Sequence, residues 1–163
     1  MTSWSGSAYS AVVGATTLTI TGALTEPKGD AVAVTCKSGT TTLLTLAGDQ
    51  WAPLGGHVAE LIARGEASTA DQDCRILSLT CPTGSAGHAT LSYSNGAMKL
   101  LGGTTEVLSG TAAEWRAFLG KVLDCFVSCA DHADGDRHAR VPNRSRDVEA
   151  GPRADVLRER WNL

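Results

Sequence analysis

The chain has 163 residues, 42% of them hydrophobic and 19% charged, which suffices for one compact domain or two small ones and is too apolar for a disordered polymer. With 14 Lys+Arg against 17 Asp+Glu the formal charge is -3, whereas a protein whose main task is to coat phosphate backbones is clearly basic. No apolar run approaches the roughly 20 residues of a membrane-spanning helix, and the opening Met1 to Gly6 lacks the basic and apolar regions of a secretory signal, so the expectation is a soluble, cytoplasmic protein.

Up to about residue 47 the sequence is rich in Thr, Val, Leu and Gly, which is strand composition. Thr17 to Leu24 alternates, with Leu18, Ile20 and Gly22 on one side and Thr17, Thr19 and Thr21 on the other. Pro27-Lys28-Gly29-Asp30 supplies a turn into a strand over Ala31 to Cys36, and Lys37-Ser38-Gly39 a turn into Thr41 to Leu46. Trp51, Leu54, Val58, Leu61 and Ile62 then recur at helical spacing from Gly48 to Gly65. Gly55 and Gly56 inside that helix cost about 1 kcal/mol each relative to Ala, so it must lean on tertiary packing.

Small polar residues over 66–73 read as a linker, after which the texture returns. Arg75 to Cys81 is a strand, Pro82-Thr83-Gly84 a turn, and Ala89 to Tyr93 runs into Asn95-Gly96, the strongest short hairpin signal in the chain. Ala97 to Leu101 and Thr104 to Leu108 complete the strands. Thr111-Ala112-Ala113-Glu114 is a capping box, and behind it Trp115, Phe118, Leu119, Val122, Leu123 and Phe126 form one apolar stripe of an amphipathic helix.

The fold class expected is α+β: two related, antiparallel, strand-rich units of about four strands and one helix each, pseudo-dimeric, with an Arg-rich C-terminal extension. The units span 1–65 and 74–130, joined by 66–73. Trp51 and Trp115 stand 64 residues apart, and Val34-Thr35-Cys36 is echoed by Leu79-Thr80-Cys81, as in a degenerate duplication that builds one sheet layer under two helices. Residues 131–163 carry seven Arg, among them Arg137, Arg140, Arg144 and Arg146, against seven Asp and Glu, and read as a flexible charged tail with a short helix over Ala154 to Trp161.

No catalytic constellation emerges. His57, His88, His132 and His138 have no nucleophile elbow or partner motif around any serine, so no enzyme, catalytic residue or cofactor is assigned. Cys36, Cys74, Cys81, Cys125 and Cys129 are an odd number without scaffold spacing, which fits reduced thiols. Cys125, Cys129, His132 and His138 have a spacing that can bind zinc, set against the simpler reading of Cys125 and Cys129 as buried apolar thiols; no metal site is assigned. Four strands followed by a helix is also the layout of the Whirly and PC4-like single-strand binders, which makes nucleic acid the second candidate partner, although basic and aromatic residues are sparse.

Three stretches resemble the BldB-like family of small actinobacterial proteins of unknown function, which accompany helix-turn-helix regulators. Trp4-Ser5-Gly6-Ser7-Ala8-Tyr9-Ser10 resembles the family's opening Trp-x-x-Ser-Ser-Tyr-Ser, Val32 to Ser38 its central strand and turn, and Ala113-Glu114-Trp115-Arg116-Ala117-Phe118-Leu119 its closing helix. The family unit is about half this length, and Cys36 stands where it usually has an acidic residue; a tandem duplication reconciles the lengths, with Leu91 to Asn95 as the second central strand. The resemblance implies a non-enzymatic module that binds a helix-turn-helix regulator and modulates transcription, with Trp4, Tyr9, Lys37, Ser38, Arg116, Arg137, Arg140, Arg144 and Arg146 as candidate interaction residues. A small inhibitor or immunity protein of a phage or mobile element remains a third reading.

Overall fold

A computed structural model of the chain describes residues 3–5, 8–25, 31–68, 71–80, 88–140 and 154–163. Among the described residues, nine strands and three helices follow in the order β1 (Ser3–Ser5), β2 (Tyr9–Val13), β3 (Thr16–Thr25), β4 (Ala31–Ser38), β5 (Thr41–Ala47), α1 (Gly48–Ala67), β6 (Gln72–Thr80), β7 (His88–Ser94), β8 (Ala97–Gly102), β9 (Thr105–Thr111), α2 (Ala112–Arg140) and α3 (Ala154–Arg160). The class is α+β, as expected.

Two antiparallel meanders form. In the first, β1 and β2 share one edge of β3, and β4 and β5 follow; the second runs β6-β7-β8-β9. The alternation along β3 is realised: Leu18 and Ile20 are buried while Thr17 and Thr19 are exposed. Asn95 and Gly96 both take positive φ (50° and 78°), the geometry of the two-residue hairpin that their sequence predicts.

From the third strand of each meander to the start of its helix, the two units correspond residue by residue. Val34 pairs Leu46 and, 64 positions on, Met98 pairs Gly110; Cys36 pairs Leu44 and Leu100 pairs Leu108. The register slips once in each unit, between Cys36 and Lys37 and between Leu100 and Leu101, again 64 apart. Trp51 and Trp115 use their indole N–H alike, donating to the carbonyls of Val34 (3.4 Å) and Met98 (2.8 Å). Gln50 Oε1 accepts the Ala47 N–H just as Glu114 Oε1 accepts that of Thr111.

This register corrects two details of the sequence reading. The counterpart of β4 is β8, so Leu79-Thr80, at the end of β6, is not the repeat of Val34-Thr35, and Cys81 lies outside the described residues. Leu91 to Ser94, in β7, correspond to β3 and not to the central strand. The stretch 66–73 is taken up at its ends by α1 and β6, and α2 runs ten residues beyond 130.

The helices are exchanged. Each begins on its own unit, where its tryptophan bonds the central strand, and then crosses: α1 lies chiefly over β6 and β7, and α2 over β2 and β3. At the end of α1, a Cβ on Gly65 would fall 2.0 Å from the Tyr93 ring of β7, so glycine lets this helix close on the other sheet. Instead of one continuous sheet layer, there are two separately bonded sheets that approach where β2 meets β9. One core unites them, with Phe118 edge-on to both Trp51 (centroids 6.0 Å) and Trp115 (5.6 Å).

The last ten residues differ from the expected flexible tail. The short helix foreseen near 154 forms as α3, and its Leu157 and the following Trp161 are each only 1% exposed, packed on α1 and α2. Two large apolar side chains in an otherwise charged stretch are sufficient cause for that docking.

Candidate functional site

Three surfaces are available for chemistry or contact: the seam between the units, the outer sheet faces and the helix layer. At the seam the β2–β3 turn meets β9. Gly14 has φ +62°, and a Cβ on it would fall 2.1 Å from the Ser109 carbonyl oxygen; one on Gly110 would come 2.6 Å from Val13 Cγ1. Only glycine fits both places. Beside this contact opens a shallow cleft of about 460 Å³, bounded by residues 14–16, Ala97, residues 106–111 and Glu114.

Glu114 and Glu106 are the ionisable groups among the described residues that line this cleft. The Glu114 carboxylate accepts the Thr111 N–H at 2.8 Å, and its own N–H donates to Thr111 Oγ1 at 3.2 Å, completing the capping box. The Thr111 backbone bond holds its pKa below the usual glutamate value; desolvation opposes this, and the Thr111 side chain and the Gly14 backbone N–H add to the lowering. The lowering favours its charged form, held by Thr111 of the second unit and the backbone of Gly14 of the first. Among the described residues, the cleft lining contains no histidine, cysteine or cation to form a nucleophile and base pair.

The outer faces are largely polar. On the first sheet Thr21, Thr35 and Thr45 stand directly opposite one another across β3, β4 and β5, the last two with hydroxyls 3.2 Å apart. Thr17, Thr19, Ser10 and Val12 extend this face, and Lys37, opposite Thr19, is its cation among the described residues. On the second sheet Asp73, Ser92, Lys99 and Ser109 are aligned, and Lys99 pairs with Glu106 at 3.6 Å. Every described aromatic ring lies in the core or against it: Tyr9, Trp51, Tyr93, Trp115, Phe118, Phe126 and Trp161.

The expected interaction residues are not gathered at one place. Lys37 is exposed on the outer face and Ser38 half-buried at the end of β4. Tyr9 is half-buried and packs against the core, so it is largely a structural side chain. Arg116 pairs with Glu66 at 3.6 Å, tying the start of α2 to the end of α1. Trp4 pairs with Leu24 in β1, but its side chain, and those of Arg137 and Arg140 in α2, lie outside the described ones. Arg144 and Arg146 lie outside the described residues altogether.

The thiols follow the apolar reading where they are described. Cys36 is fully buried and its pKa is pushed up to about 12 by desolvation. Cys125 is 1% exposed within the helix stripe, and Cys36, Cys74 and Cys125 are not in disulfides. The side chains of Cys129, His132 and His138 lie outside the described ones; among those described, no cluster of three metal-ligating groups forms.

Sequence reasoning missed the slot in the helix layer. Trp161 donates its indole N–H to the Ala52 carbonyl at 3.1 Å, and its ring lies where a Cβ on Gly55 would be, 2.1 Å from Cε2. The signal was present as an unexplained Gly55-Gly56 pair in a helix and a lone Trp in a charged tail. No helix among the described residues is long and apolar enough to cross a membrane. Searches of family models, of curated proteins and of solved structures find no match to the chain.

Proposed function

We propose that the chain is a non-enzymatic regulatory module, of the kind its BldB-like stretches imply, that binds a helix-turn-helix regulator by protein–protein contact. The observation that supports this reading is the pairing of largely polar, solvent-facing sheet faces with the packing of every described aromatic ring in or against the core. Single-strand binders present rings for bases to stack on and a cationic track for the backbone. Among the described side chains the outer faces offer Lys37 and a Lys99 that is ion-paired with Glu106, with Asp73 on the same face. Threonine rows instead give a surface with short, stiff side chains and hydroxyl donors and acceptors, which suits a shaped protein contact of modest polarity.

The test is co-elution of the purified chain with a helix-turn-helix regulator encoded beside it, at low and at high salt. A defined complex that persists at high salt is expected, and Thr35→Arg, at the centre of the first outer face, should abolish it while leaving the circular dichroism unchanged. A complex that dissolves as salt rises, or one indifferent to Thr35→Arg, would overturn the assignment of this face.

A further inference from the structure

Between the two equivalent helices, one position differs in how its space is filled. Position 55 in α1 corresponds to Leu119 in α2, which is 1% exposed and fills its own site. Gly55 instead leaves a hole, and the indole of Trp161 fills it from more than a hundred residues further along the chain. Gly56 is likewise roofed by Arg160, 2.9 Å from where a Cβ would be, whereas nothing lies within 4 Å of the same point on its counterpart Gly120. The hole is selective: beside it the Ala52 carbonyl accepts the indole N–H, so phenylalanine or leucine would leave that contact unmade.

We propose that this Trp slot on α1 is a docking site for the C-terminal segment of a second copy of the chain, so that residues 154–163 can be exchanged reciprocally between two molecules. The complementarity is already on view, because the occupant seen in the slot is that same segment, and its contacts would be identical whichever molecule supplied it. α3 has only seven residues and cannot hold a helix alone, so its order derives from the slot and not from the chain before it. Between Arg140 and Ala154 lie residues 141–153, which fully extended span at most ~45 Å. Docking in trans makes the same contacts as docking in cis, and exchange of a terminal element is a low-cost route to a dimer.

Two full-length variants test this together. Trp161→Ala keeps an open slot and loses its plug, while Gly55→Leu, which copies the leucine that α2 carries at position 119, blocks the slot and keeps the plug. Each alone should be monomeric by light scattering, and the mixture should yield a one-to-one heterodimer, since the tail of one finds the slot of the other. Two folded variants that remain monomeric when mixed overturn the proposal. Should Gly55→Leu fail to fold, a fluorescein-labelled peptide of residues 154–163 is titrated into full-length Trp161→Ala. Saturable binding that is lost when the peptide's tryptophan is changed to alanine supports the exchange, and absence of binding overturns it.

Discussion

Trp51 and Trp115 do the same work in the two units: each buries an indole against the sheet and spends its one N–H on a carbonyl of the central strand. Truncating such a side chain removes both the packing and the hydrogen bond. Trp115→Ala should therefore cost about 3 to 5 kcal/mol of unfolding free energy in a denaturant titration; a wild-type midpoint would remove Trp115 from the core. Glu114 acts by charge. Its pKa is lowered in the folded state, so its contribution is present above the ordinary glutamate range and is lost as pH falls through that range toward the folded value. Glu114→Gln should melt below the wild type at pH 7, with the gap closing in acid; a gap that stayed constant with pH would show that the carboxylate charge plays no part. Cys36, buried and with its pKa raised to about 12, should resist thiol reagents until the protein unfolds.

At the scale of elements, local chemistry was largely legible and long-range pairing was not. The Asn95-Gly96 hairpin, the Thr111 to Glu114 cap and the stripe from Trp115 to Phe126 each depend on neighbours within one or two turns, so sequence suffices to find them. An apolar stripe, however, does not say which sheet it will cover, and nothing local marks that α1 and α2 trade places. The register was hidden for a related reason: β3 and β4 pair as far as Thr25 and Ala31, whereas β7 and β8 turn at Ser94 and Ala97, so one constant offset cannot align the whole of both units. Exchange makes a sharp prediction at Gly65. Gly65→Val should push the Tyr93 ring of the other unit aside and destabilise by about 1 to 3 kcal/mol, as overpacking does. A neutral outcome would mean that α1 ends elsewhere. Among the candidate site residues, Lys37 was legible because an alternating strand fixes its face, while the inward packing of Tyr9 and the Glu66 partner of Arg116 depend on contacts that no single stretch encodes.

At the scale of the molecule, the exchanged helices give one core to two units, and the chain's end closes over the helix layer. This revises the standing of the C-terminus: the sequence marks it as a charged tail, yet Leu157 and Trp161 make its last ten residues part of the packed structure. Each outer sheet face remains largely polar and open, and the proposed function turns on what that face recognises. The most direct test is fluorescence anisotropy of a labelled single-stranded oligonucleotide titrated with the full chain at low and at physiological salt. The account predicts no saturable binding at either. Tight binding that weakens steeply with salt would contradict it and assign the protein to phosphate backbones instead of a protein partner.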